Sequence, residues 1–154
     1  MARFLILSVF FWLCAAAVGQ AKGPITIKSD RMEVLQNQQV VIFSGNVVAQ
    51  KEGLTIYADR LIVYYTKGKG EEKREVTKLV AIGHVKIHKD DWIARAGKAV
   101  YFRDQEKIVL EDNPQIWQGD NTVRGDRIIL YLNEDRSVVE AAPGHKAEAV
   151  IFPE

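Results

Sequence analysis

The chain has 154 residues, 47% of them hydrophobic and 27% charged, a composition that fits one folded domain or one repeat array and excludes a disordered tail or a collagen-like rod. Lys and Arg number 21 against 20 Asp and Glu, a formal balance of +1 that supplies no electrostatic footprint for nucleic acid. A single cysteine, Cys14, can form neither an internal disulfide nor a cysteine-based zinc site.

Residues 1–21 are predicted to be a secretory signal peptide. Arg3 gives a short basic start, and Phe4 to Val18 is an apolar stretch too short to span a bilayer comfortably. Small residues follow, with Ala15/Ala17 and Gly19/Ala21 in suitable pairs, so cleavage is expected after Ala21, with Ala17 as the alternative. An uncleaved anchor is the other reading of this segment. The cleaved chain has no cysteine and, without Arg3, no net formal charge. It is held together by its core alone.

From Ile25 onward no helical period is sustained. Short alternating runs rich in Val, Ile, Tyr and Thr are broken by Gly, Asp, Asn and charged pairs, which predicts an all-β domain over 22–154. Sixteen short strands are expected: 25–29, 32–35, 39–44, 46–51, 54–58, 60–66, 75–82, 84–88, 91–96, 98–103, 106–111, 114–118, 121–125, 127–133, 137–141 and 146–152.

Two punctuation marks recur along this series. One is a step at Asp30-Arg31, Asp59-Arg60 and Asp126-Arg127, with Gly97-Lys98 in the same place in a further copy. The other is a turn at Gly45-Asn46, Gly83-His84 and Asp112-Asn113. Asp30 to Asp59 and Gly97 to Asp126 are each 29 residues, whereas Asp59 to Gly97 is 38. The nine extra residues fall in Lys67 to Glu75, a loop by composition. A fixed period of this length signals stacked repeats.

Apolar residues lie one, three and five places before each step, then two and four places after it, so the step switches parity. A bulge or corner there keeps one apolar face inside. Asp and Gly both tolerate the left-handed backbone, which is the expected reason for their interchange, and Asp30, Asp59 and Asp126 are taken as structural. The inward set is Ile25, Ile27, Val41, Phe43, Val47, Ala49, Leu54, Ile56, Leu61, Val63, Leu79, Ala81, Val85, Ile87, Trp92, Ala94, Tyr101, Ile108, Leu110, Ile116, Val123, Ile128 and Leu130. The pattern fits both a closed sandwich core and a groove kept open for a lipid.

No catalytic constellation stands out, and no enzyme activity is expected. His84 and His88 lie roughly 13 Å apart along one extended strand, too far to share a metal. His145 sits in a Pro-Gly turn. No HExxH or phosphate-loop spacing is present, so no metal or cofactor is expected.

Four segments then carry a resemblance: ITIKSDRMEV, VIFSGNVVAQKEGLTIYADRLIVYY, LVAIGHVKIHKDDWIARAGKAVYF and IVLEDNPQIWQGDNTVRGDRIILYL, closed by APGHKAEAVIFPE. Together they resemble the OstA-like family of lipopolysaccharide transport proteins over nearly all of Ile25 to Glu154. Gly97 in place of Asp, and Asp112-Asn113-Pro114 in place of Gly-Asn-Val, are the departures. The resemblance implies an elongated, twisted antiparallel β-jellyroll in the periplasm that carries lipopolysaccharide between membranes, with the lipid A acyl chains in an apolar groove. Its implied partners are an inner-membrane LptC-like protein, an outer-membrane LptD-like protein and further copies of itself joined head to tail.

On this reading the inward residues become the groove: Ile27, Val41, Phe43, Val47, Leu54, Ile56, Leu61, Val63, Leu79, Val85, Ile87, Trp92, Tyr101, Ile108, Leu110, Ile116, Val123, Ile128 and Leu130. The end-strand interface is Ile25, Thr26, Lys28, Lys146, Glu148, Val150 and Phe152. A membrane-anchored LptC-like relative, or a structural or glycan-binding β-sandwich, are the alternatives.

Overall fold

The structure is a computed structural model and describes residues 24–67 and 74–153. The signal-peptide segment and the tip of the charged loop lie outside the described residues. Among the described residues twelve strands form one antiparallel sheet: β1 (Thr26–Lys28), β2 (Arg31–Leu35), β3 (Val40–Lys51), β4 (Leu54–Lys67), β5 (Arg74–Lys89), β6 (Trp92–Phe102), β7 (Lys107–Glu111), β8 (Gln115–Gln118), β9 (Asn121–Arg124), β10 (Arg127–Tyr131), β11 (Arg136–Glu140) and β12 (Glu148–Val150). A 3₁₀ turn, Gln36–Gln38, joins β2 to β3.

Twelve strands stand where about sixteen are expected, and the reason is informative. Four expected pairs are fused into the long strands β3, β4, β5 and β6. The pairing register shifts between Ser44 and Val47, between Tyr57 and Arg60, and between Ile82 and Val85. Each shift is a bulge, which absorbs one extra residue and bends the strand without ending its ladder. Sixteen is instead the number of half-strands. On one side of the bulges the order is β1-β3-β4-β5-β6-β8-β9-β12, and on the other it is β2-β3-β4-β5-β6-β7-β10-β11. Two eight-stranded halves thus share four continuous strands and meet along a line of corners.

The left-handed residues at these corners are not the Asp steps. They are Gly45 and Asn46 (φ 83° and 46°), Gly83 and His84 (84° and 47°), and Asp112 and Asn113 (both 63°). The strands carrying these pairs keep their parity, while the strands carrying Asp59 and Gly97 switch it. Two residues of one strand therefore face one of the next, as a bulge requires.

The halves fold onto each other. Ala49, Ile56, Ile87 and Ala94 of the first half share one buried cluster with Phe43, Leu61, Val63, Leu79, Ile108, Leu110 and Ile128 of the second. Ala58, Ala81, Ala96 and Ala99 belong to the same cluster and lie close to the corners, where short side chains let the halves converge. Among the described residues no polar or charged side chain is fully buried, so the interior is apolar throughout.

Candidate functional site

The site is the face between the two halves, and backbone register builds it. In the first half, Ile27-Ala49-Ile56-Ile87-Ala94-Ile116-Val123-Ala149 stand opposite one another in a single row across all eight strands. In the second, Met32-Phe43-Leu61-Ala81-Ala99-Leu110-Ile128-Val139 form one row. Val34-Val41-Val63-Leu79-Tyr101-Ile108-Leu130-Ser137 form another. Directly paired residues share a face, so three rows without a charge run from one edge of the sheet to the other.

Of the residues expected in the groove, all but Val123 lie in the buried cluster or pack against it. Val123 is half-buried near the β12 edge, where few strands remain to cover it. Ala58, Ala96, Ala99, Val76, Leu132 and Val139 also belong and were not in the expected set. Ala is a weak core signal, but its phase against each step marks it. Trp92 packs against the cluster, whereas Trp117 is on the outer face with the Arg95 guanidinium 5.6 Å from its ring.

The corner line bounds the site on one side and is polar. Asn46 Nδ2 donates to Asp30 Oδ2 at 2.9 Å, and His84 Nδ1 donates to Asp59 Oδ2 at 2.7 Å. At the last corner Asp126 Oδ2 accepts from the Ala142 N–H at 2.6 Å and its carboxylate from His145 Nδ1 at 3.0 Å. The carboxylates press on glycine: a Cβ on Gly45 would lie 2.7 Å from Asp30 Oδ2, and one on Gly83 2.5 Å from Asp59 Oδ2.

At the third corner the roles are exchanged. Gly97 stands on the step, its N–H donates to the Asp112 carbonyl at 2.8 Å, and a Cβ on it would overlap the Asp112 carboxylate. The two departures from the repeat are therefore one compensating swap, not two substitutions. The expectation that Asp and Gly interchange because both become left-handed is corrected: Gly97 is there to make room.

The hydrogen bond to Asp59 raises the pKa of His84, whose side chain is exposed. The Ala142 N–H, then His145, lowers that of Asp126. Among the described residues no group of three or more His, Cys, Asp or Glu is placed to hold a metal ion.

The side opposite the corners is a mouth, formed by the hairpin ends of both halves. Near β1 it is shut. Lys51 lies 5.9 Å from the Tyr101 ring centroid, across a cavity of only about 20 Å³ lined by Ile25, Ala49, Leu54, Ile56 and Leu79. Burial, then the Glu106 carboxylate that accepts from its hydroxyl at 3.1 Å, pushes the Tyr101 phenol up to about 12. Near β11 the mouth is open, with a cleft of about 330 Å³.

Both ends expose apolar side chains. Met32 is 59% exposed and Val34 43% at one end; at the other, Ile151 is 68% and Phe152 62% exposed. The expected interface is only partly strand. Thr26, Lys28, Glu148 and Val150 lie in β1 and β12, while Ile25, Lys146 and Phe152 fall outside them. Phe152 is tied back through its N–H to Asn121 Oδ1 at 2.9 Å. The structure adds edges that sequence reasoning missed, because each end presents two strands: β1 with β2, and β12 with β11.

The family described as "LptA/(LptD N-terminal domain) LPS transport protein" matches residues 26–136. The lipopolysaccharide export system protein LptA of Escherichia coli strain K12, and likewise those of Escherichia coli O157:H7 and Shigella flexneri, are 26% identical to this chain over 142 residues, which is 90% of this chain and 76% of theirs. The crystal structure of LptH from Pseudomonas aeruginosa, the LptA-homologous periplasmic component of a lipopolysaccharide transport device, superposes with a TM-score of 0.73 at 19% identity, covering 84% of this chain and 96% of that one.

Proposed function

The chain belongs to the LptA/LptD N-terminal domain family of lipopolysaccharide transport proteins, and we propose that it carries lipopolysaccharide through the periplasm with the acyl chains between its two half-sheets. The observation that carries this reading is the set of three uncharged rows, one crossing all eight strands of the first half and two crossing all eight of the second. Burial is worth about 0.8 kcal/mol per methylene, so a twelve-carbon acyl chain loses roughly 10 kcal/mol on meeting water. An uninterrupted apolar face removes that barrier along its length. The centre is closed by side chains on side chains, so a lipid enters by parting the halves about the corners and exchanging one apolar contact for another.

The wider roles follow from the same reading. Residues 1–21 direct export and are removed. The domain spans 22–154. No step of this role needs a catalytic group, and the push comes from elsewhere, because transfer along an apolar face has no built-in direction. Further copies, an LptC-like protein at the inner membrane and an LptD-like protein at the outer membrane dock on the two ends, where unpaired strand edges and exposed apolar side chains invite strand addition. The two ends differ, so such contacts build open chains rather than rings.

A photoreactive residue at Ile56, Val63 or Leu110 is expected to crosslink to lipopolysaccharide in cells, and one at outward Thr55 or Tyr57 is not. Equal crosslinking from both sets would defeat the groove reading and favour a closed sandwich.

A further inference from the structure

We propose that the open cleft at the β11 end of the mouth holds the sugar-bearing head of an acylated, phosphorylated sugar; this rests on the carrier reading and deepens it. The cleft differs from the rest of the interior in having convergent polar groups above an apolar floor. Lys89, Trp92 and Gln118 are directly paired neighbours on β5, β6 and β8, on the same face as Ile87, Ala94 and Ile116. They therefore lean inward over Ile116 from one lip. Leu130 and Leu132 complete the floor from the other half, with Ser137 beside them.

At about 330 Å³ the cleft suits one head group or one chain end, not a whole multi-chain lipid. Its contents match an amphiphile's waist. The floor continues into the buried cluster through Leu130 and Ile116. Trp92 offers an aromatic surface, Lys89 a cation for a phosphate, and Gln118 and Ser137 groups that both donate and accept for sugar hydroxyls.

Asp90, Asp91 and Asp135 also line the rim, which makes it unfit for a bare anionic head but supplies acceptors for hydroxyl and amide donors. Asp91 already holds Gln118 Nε2 at 2.9 Å, fixing that amide over the cleft. At the opposite end only about 20 Å³ is left between the halves, and the larger depression there is lined by the Val34–Gln38 segment of one half alone, so the head group is registered at the end where both halves contribute.

The shared chemistry, a phosphate on an acylated scaffold, also occurs in phospholipids, and the test separates them. The full chain carrying a photoreactive residue at Ser137 is mixed with lipid A or with phosphatidylglycerol. Lipid A is expected to be captured at least fivefold better. Trp92→Ala, and separately Ser137→Trp to fill the cleft from the other lip, should each weaken lipid A binding about tenfold, with melting temperatures confirming that both variants fold. Equal capture of the two lipids, or unchanged affinity in both variants, overturns the inference while leaving the groove intact. Loss of the Ile56 crosslink in the parent overturns the carrier reading and this inference with it.

Discussion

The corner line and the mouth run along opposite sides of the same sheet, and they are built on opposite principles. At the corners the backbone does the work. Left-handed pairs at Gly45-Asn46, Gly83-His84 and Asp112-Asn113 meet a carboxylate or a glycine on the neighbouring strand, and little room is left for variation. At the mouth side chains do the work, and the gap between the halves ranges from about 20 Å³ to about 330 Å³ within one molecule. A carrier needs both: a hinge whose geometry is fixed by covalent and steric limits, and an opposite edge that can part without breaking a ladder.

The largest expected effect comes from breaking the hinge. Gly83→Val puts a β-branched residue at φ 84°, with its Cβ 2.5 Å from Asp59 Oδ2. Backbone strain of about 1–3 kcal/mol adds to a crowding cost of similar size. Thermal and urea unfolding should show a loss of about 2–6 kcal/mol. A variant as stable as the parent would mean that the bulge is not needed for the fold.

Next is the exchanged corner. Gly97→Asp alone sets two carboxylates against each other and should destabilise by about 1–3 kcal/mol. Adding Asp112→Gly recreates the arrangement found at Gly83 and Asp59, so the double variant should recover most of that loss. A double-mutant cycle with no coupling would disprove the pairing.

This swap also marks the limit of what sequence could disclose. The 29-residue spacing, the apolar phase and the side chains that meet inside were legible, because a strand's period is fixed and one slip would expose a whole face. Fusion into twelve strands was not, because a bulge and a turn use the same residues and differ only in whether the ladder continues. Gly97 and Asp112 looked like separate departures because their contact crosses from β6 to the β7–β8 corner. The sealed and open ends of the mouth were hidden for a different reason. Lys51 over Tyr101, and Ser137 across the cleft from Trp92, depend on which hairpin ends the corners bring together.

A smaller effect on stability, with a larger one on access, is expected at the sealed end. Lys51→Ala removes a partly exposed cation–π contact worth about 0.5–1 kcal/mol and should shift unfolding by no more than that. It should, however, speed capture of a fluorescent fatty acid by the interior in stopped-flow mixing. Unchanged capture rates would place the point of opening elsewhere, most directly at the β11 cleft.

The smallest effects are set by pH, and the two His–Asp corners should respond in opposite windows. At the second corner the raised group is His84, so the folded state favours its protonated form. Its contribution is fully present below the ordinary histidine pKa and is lost as pH rises through the raised value. At the last corner the lowered group is Asp126, so its contribution is present above the ordinary aspartate pKa and is lost only as pH falls through the lowered value. Both pairs are exposed, so solvent and salt screen them. Melting temperatures of His84→Gln and the parent should therefore converge near pH 8.5 and separate slightly near pH 5.5. Those of Asp126→Asn and the parent should differ at neutral pH and converge only in strong acid, with the N–H of Ala142 exchanging faster in the variant above that range. Matching profiles for the two corners would show that the carboxylates act through general surface charge instead of through the separate bonds that hold each corner.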